Sequence, residues 1–327
     1  MSNSNMRKAI SSRIFGNIFR IVSLPGLLVL FIVFFIFSNG RIANLDNLTN
    51  LGTQVAVLMV VSLGQTMVIL IRGIDLSTGA VISLAGVFTA SFVASYSFNP
   101  LLAIVAGVMV GSCIGVVNGL LITRLEIPSV IATLGMSTVA TGVLLSYTHG
   151  YPIYNLGQYT DIFTTIGSGR LFGIPILIIV TVFVWIGVWL LMTRTVFGRH
   201  IYAIGGNKEA SRLSGINVLR TELIVYVLCS SLSAFAGVLL MSRLGVGHPL
   251  AGDSFLLDPI AAVLIGGTSM AGGEGGAVDT LVGVLIMGVL NNGLYLIAID
   301  AFSITLIKGL IIIGAVATIA LRKRRRG

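Results

Sequence analysis

The sequence predicts an all-α integral membrane protein of about ten transmembrane helices, and three observations predict it. Of the 327 residues, 56% are hydrophobic and only 9% charged, and the charged ones gather between apolar runs instead of spreading along helix faces. Residues 21–38, 50–71, 100–123, 174–192 and 303–321 are each long enough to cross a hydrocarbon core of roughly 30 Å, and none contains an acid. Lipid offers no partner to exposed backbone N–H and C=O groups, so runs of this length must be helices; barrel strands would show as short alternating segments.

Taken in order, the ten segments fall near 21–38, 50–71, 77–97, 100–123, 128–148, 174–192, 223–241, 258–271, 277–298 and 303–321. Arg7, Lys8, Arg13 and Arg20 precede the first run in the manner of a signal peptide. No small-residue cleavage site follows, so the run reads as a retained helix behind a cytoplasmic segment, 1–20. Residues 21–321 make one membrane domain, and 322–327 form a basic cytoplasmic tail that anchors topology and favours anionic lipid. With the N-terminus inside, 16 of the 20 Lys and Arg residues face the cytoplasm, against Arg41, Arg170 and Arg243 outside and Lys308 within a span. That bias puts both termini inside. It also accounts for the net charge of +9 without a nucleic-acid partner.

The chain repeats weakly at an offset of 174 residues. Asn118, Gly119 and Leu120 recur as Asn292, Gly293 and Leu294, Glu126 as Asp300, Ser129 as Ser303, and Gly135 as Gly309. Glu126 falls inside and Asp300 outside, so the two copies have opposite orientations, the inverted-repeat arrangement of transporters. Gly107, Gly111, Gly115 and Gly119 form a smooth stripe that lets a neighbouring backbone approach closely. Asn118 beside it, and Asn292 in the second copy, either bond a neighbouring helix or face a wet pathway. The glycines at 266, 267, 272, 273, 275 and 276 interrupt segments eight and nine, as in a broken helix beside a pathway or a tight helix contact. Asp75, followed by Ser77 and Thr78, suits an N-cap that also pairs with Arg72.

Between segments six and seven lies the longest cytoplasmic loop, 193–222, too polar to enter lipid. Lys208 to Leu213 can form a short helix, with Gly205 and Gly206 breaking the chain before it and Gly215 ending it. Held between two spans, such a helix is a lever: a partner pushing on it moves both. On the opposite face, residues 149–172 carry Tyr151, Tyr154 and Tyr159, suited to an interfacial belt or to docking another protein. Cys113 and Cys229 read as small hydrophobes, and His149, His200 and His248 have no metal-ligand spacing. No catalytic residue, metal or cofactor site is expected.

Four stretches carry a resemblance: GIDLSTG at 73–79, TRTVFGRHIYAIGGNKEASRLSGI at 193–216, LDPIAAVLIGGTSMAGGEGG at 257–276 and NNGLYL at 291–296. Together the chain, over roughly 40–320, resembles the ribose/xylose-type sugar permeases of ABC importers, the family of ribose, xylose, galactofuranose and autoinducer-2 permeases. Glu209-Ala210-Ser211 followed by Gly215 is similar to the coupling signature of bacterial importer permeases, with Ser in place of the second Ala. The resemblance implies a type II-like permease in the bacterial inner membrane. It implies pairing with a second permease copy, the same or related, with cytoplasmic ATP-binding subunits and with an extracytoplasmic sugar-binding protein. It further implies that Gly198, Arg199, Gly205, Gly206, Asn207, Glu209, Ala210, Gly215 and Ile216 meet the ATPase. Members of that family usually carry Gly where this chain has Asp279, and often a small residue at Arg72; Asp279 fits helix capping or a substrate contact, with capping favoured, and Arg72 the anchoring of a helix end.

The residues agree by omission. No G-x4-G-K-[ST] phosphate loop occurs, so ATP must be handled by another chain. A charged solute would want a countercharge at the midplane, and the spans offer almost none. A sugar presents hydroxyls, each costing on the order of 1–3 kcal/mol if buried unpartnered. Ser83, Asn118, Thr268, Ser269, Asn291 and Asn292 are available to meet them. An ion-coupled secondary transporter is the alternative, disfavoured by the shortage of intramembrane carboxylates. An intramembrane enzyme lacks any HExxH or G-x-S-x-G constellation.

Overall fold

The computed structural model describes residues 24–96, 98–154 and 156–324. The expected cytoplasmic segment 1–20, and Arg325 and Arg326 of the tail, lie outside the described residues. The described chain is a helical bundle. Its helices are α1 (Leu24–Phe37), α2 (Leu45–Leu70), α3 (Thr78–Ala94), α4 (Pro100–Thr123), α5 (Ser129–Thr148), α6 (Thr160–Ser168), α7 (Ile176–Arg194), α8 (Val196–Gly206), α9 (Lys208–Leu213), α10 (Val218–Leu244), α11 (Asp258–Gly266), α12 (Ala277–Leu296) and α13 (Ala301–Arg324). A two-stranded antiparallel hairpin, β1 (Arg170–Leu171) with β2 (Ile174–Pro175), precedes α7.

Six helices, α2, α4, α5, α7, α10 and α12, are long and apolar enough to cross a membrane. Shorter apolar helices cover Leu24–Phe37, Thr78–Ala94 and Ala301–Ile311. The eighth expected segment is corrected. Residues 258–271 do not form one helix: α11 has nine residues, about 14 Å of rise, and stops where Gly267 turns to φ 114°. An apolar composition alone cannot show that a run is too short to span, because the break comes from glycine geometry.

Side-chain caps fix where several helices begin. Asn44 accepts from the Asp46 N–H, Asn99 from Leu101, Thr195 from Gly198, Asn207 from Ala210 and Asn217 from Arg220. The most buried spans are α2, α12 and α10, whereas α4, α5 and α7 leave apolar side chains such as Met109, Val139 and Phe183 outward, as a lipid-facing layer does. The glycine stripe packs. A Cβ on Gly111 would strike Ala234, and one on Gly115 would sit 2.7 Å from the Tyr226 carbonyl oxygen, so these glycines set the approach of α4 to α10.

Two irregular segments position the site. Residues 73–77 link α2 to α3 without regular structure, and residues 245–257 return along α3 before α11 begins. The two meet: the Gly252 N–H donates to Ser83 Oγ at 2.9 Å, Thr78 Oγ1 donates to the Phe255 carbonyl at 3.1 Å, and no Cβ fits at either Gly79 or Gly252.

Candidate coupling site

α9 occupies Lys208–Leu213, bounded as its sequence indicates by the Asn207 cap and by Gly215. Its end is a Schellman turn: the Ile216 N–H donates to the Ser211 carbonyl and the Gly215 N–H to that of Arg212, with Gly215 at φ 84°. Ahead of it the structure adds α8, in a stretch the sequence carries as loop. The signal was present, because Phe197, Ile201 and Ile204 recur at helical spacing and pack with Leu70, Ile71 and Met192. Gly205 and Gly206 are thus the last turn of α8 rather than a break before α9. Gly198 allows α8 to fold back, since a Cβ there would collide with the Met192 carbonyl. Arg199, Asn207, Glu209 and Ala210 are exposed, and Ile216 is half-buried.

Three ties hold the pair. Lys208 Nζ lies 2.7 Å from the Glu222 carboxylate, which is buried near the start of α10. Glu209 and Arg212 pair across one turn at 2.6 Å; the Arg212 guanidinium holds the Glu209 carboxyl below its ordinary range, but both are fully exposed, so the pair shapes the surface more than it stabilises the fold. Arg72 donates through Nε to the Gly205 carbonyl at 2.8 Å and through Nη2 to that of Gly206 at 2.6 Å. Arg72 therefore bonds the C-terminal end of α8, not Asp75 as the sequence suggests.

Asp75 turns inward. Its Oδ1 accepts from the Ser77 N–H at 2.8 Å and the Ser77 hydroxyl at 2.6 Å, and Asn118 Nδ2 donates to that hydroxyl at 2.9 Å. With its amide oriented to satisfy both groups, Gln65 brackets the Asp75 peptide, donating to the carbonyl at 3.2 Å and accepting from the N–H at 3.3 Å. Ser129 and Thr133 of α5 accept from the Ile74 and Leu76 N–H groups. A segment without a helix thus has the N–H groups of Ile74, Asp75 and Leu76 met by side chains from α2 and α5, while Asp75 Oδ2 is buried without a hydrogen-bond partner. Burial pushes the Asp75 carboxyl above its ordinary value, opposed by the Ser77 hydrogen bonds.

A cavity of about 840 Å³ opens beside α9. Its wall takes Arg72 and Gly73, Glu126 and Ser129, Lys208, Glu209 and Arg212, Ile216, and Glu222 and Tyr226 of α10. Glu209 and Ile216 of the expected coupling residues line it; none of the six expected pathway residues does. Those six are dispersed. Ser83 accepts from Gly252, Asn118 bonds Ser77, Ser269 Oγ accepts from the Ala271 N–H, and Asn292 bonds Asn47. Thr268 Oγ1 and Asn291 Oδ1 are buried without a hydrogen-bond partner. Two further ties escape sequence reading: Tyr202 Oη donates to the Gly275 carbonyl at 2.9 Å, and Lys308 pairs with Asp258 at 2.9 Å. For Lys308 a signal existed, since a lone base in an apolar run requires a partner.

A bundle of apolar helices long enough to cross a membrane, interrupted by two irregular segments and carrying a capped helix pair, is the architecture of an integral membrane protein. The family described as branched-chain amino acid transport system, permease component, matches residues 47–317. Among relatives, the ribose import permease protein of Bacillus subtilis is 44% identical over 291 residues, covering 89% of each chain. That of Escherichia coli K12 is 41% identical, covering 83% of this chain and 85% of its own. The fructose import permease protein of Rhizobium meliloti is 35% identical, covering 90% and 84%. The chain belongs to this family of transport permeases. No solved structure matches it.

Proposed function

We propose that this chain is the membrane permease subunit of an ATP-driven importer and passes a small neutral monosaccharide of the ribose kind. The observation that carries the reading is identity above 40% with ribose import permeases along more than four-fifths of the chain. Although the family description names amino acids, a zwitterion would want paired charges at the midplane. Among the described residues the buried charges of the apolar helices are few and sit near helix ends or in pairs: Lys308 with Asp258, Glu222 with Lys208, and Asp279 in the first turn of α12.

In this reading ten segments lie in the membrane, with 258–276 re-entering, and both termini are cytoplasmic. The inverted repeat gains support from element order: α2, α3, α4 and α5 recur at the same offset as α10, α11, α12 and α13, and Gly79 meets Gly252 where the two copies touch. ATP-binding subunits grip the surface made by Gly198, Arg199, Gly205, Gly206, Asn207, Glu209, Ala210, Gly215 and Ile216. A second permease copy completes the pathway, with Ser83, Asn118, Thr268, Ser269, Asn291 and Asn292 as the side chains able to meet hydroxyls. A sugar-binding protein docks at the opposite end, where Tyr151, Tyr154 and Phe172 are strongly exposed. No cofactor belongs to this chain.

The mechanism is alternating access. Nucleotide-driven closure of the ATPase pair displaces α9, and flipping a 1:99 preference to 99:1 takes about 5.5 kcal/mol of differential binding. The test is reconstitution with the ATPase and binding protein in liposomes. Labelled ribose should accumulate only with ATP; accumulation of a branched-chain amino acid instead, or sugar uptake driven by an ion gradient without nucleotide, would overturn the assignment.

A further inference from the structure

At the end of α2, three backbones come together with no side chain between them. The Gly273 N–H donates to the Leu70 carbonyl at 2.9 Å. A Cβ on Gly205 would collide with that carbonyl and with the Gly273 nitrogen, and one on Gly272 would sit 2.5 Å from Arg72 Cγ. Arg72 spans the junction, its guanidinium holding the last two carbonyls of α8. A cation at a helix C-terminus is favoured by the dipole and by the orphan carbonyls there. Arg72 itself has φ 66°, uncommon for a residue with a Cβ and sustained where surrounding contacts over-determine it.

We propose that Arg72 is a positioning residue that fastens the C-terminal end of α8 to the end of α2, where the Leu70 carbonyl holds the glycine loop 267–276, so that displacement of α9 reaches α11 and α12 as well as α7 and α10. The proposal rests on the reading of α9 as the surface the ATPase moves. Close-packed backbone contacts transmit displacement, because no flexible side chain takes up the movement. Tyr202 of α8 bonds the loop at Gly275 and Leu70 of α2 bonds it at Gly273, so the loop is held at two points. On its other side α9 is tied to α10 by Lys208 and Glu222. The lever therefore has two arms, one into α10 and one through Arg72 into the broken segment between α11 and α12.

The two arms can be read separately in the assembled importer. After Cys113 and Cys229 are replaced, Ala271→Cys reports on the glycine loop and Arg220→Cys on the start of α10; both positions are exposed. The labelling rate by a membrane-impermeant maleimide, applied from the cytoplasmic side, is compared with and without a non-hydrolysable ATP analogue. With Arg72 present, both rates should change on adding the analogue. In Arg72→Gln the change at 271 should shrink severalfold while that at 220 persists, and Arg72→Lys, which keeps the positive charge and the reach, should restore part of it. An unaltered response at 271 in Arg72→Gln overturns the proposal, as does a response at 220 alone with Arg72 in place. Silence at both positions with Arg72 in place overturns the reading of α9 itself, and the proposal with it.

Discussion

Asn47, near the start of α2, and Asn292, near the end of α12, exchange two amide hydrogen bonds of 2.8 and 2.9 Å. Each satisfies the other at a partly buried contact, and Asn47 Nδ2 also donates to the Ile42 carbonyl at 3.0 Å. Asn292→Leu should leave Asn47 Oδ1 without its donor at about 1–3 kcal/mol, read as a lower unfolding midpoint in detergent. Adding Asn47→Leu should recover part of it, because the unpaired amide oxygen is then gone. Uptake separates packing from transport: if Asn292 also meets sugar, the stabilised double variant will stay slow.

Much of this was legible beforehand, for physical reasons that differ by element. The spans are legible because lipid forces backbone bonds to be local, leaving length and composition as sufficient signals. α9 is legible because Asn207 and Gly215 punctuate it from within. α8 carried a weaker signal, an apolar spacing of four and three residues masked by its polar surroundings. The shortness of α11 had a signal in Gly266 and Gly267, which read as an interruption, although the expected segment runs on to 271. Arg72 was assigned the wrong partner: Asp75 is three residues away in the chain, whereas the carbonyls it bonds are more than 130 residues away. Such long-range ties leave no local pattern.

The glycines of the apolar spans divide sharply by what faces them. Gly115→Ala should destabilise, because its Cβ meets the Tyr226 carbonyl and Val227 backbone of α10 within 3 Å. Gly142→Ala on α5 meets nothing within 4 Å and should be neutral or, by favouring the helix, stabilising by about 1 kcal/mol. Thermal midpoints of the two purified variants check the contrast, and equal effects would refute close packing of α4 on α10.

Lys308 of α13 and Asp258 of α11 are both largely buried, so removing one leaves the other charged and unpaired. Lys308→Met should cost about 3–5 kcal/mol, because the buried Asp258 carboxylate loses its partner. The double variant Lys308→Met with Asp258→Leu should regain most of the stability, read as thermal midpoints of the purified variants. A loss that survives in the double variant would show that the two side chains act by shape.

Gly215 offers the sharpest separation of folding from coupling. A Cβ there meets nothing within 4 Å, so space does not forbid a side chain; the φ of 84° does. Gly215→Val forces either a strained left-handed valine, at about 1–3 kcal/mol, or release of the Schellman turn that aims Ile216 and α10. Release of the turn moves α9 relative to α10, and strain weakens the joint between them; neither touches the inside of a span, so the variant should insert and bind its ATPase. The expected readout is ATP hydrolysis that continues while sugar uptake falls, measured on the same proteoliposomes. Full uptake in that variant would mean that α9 is not the element the ATPase moves.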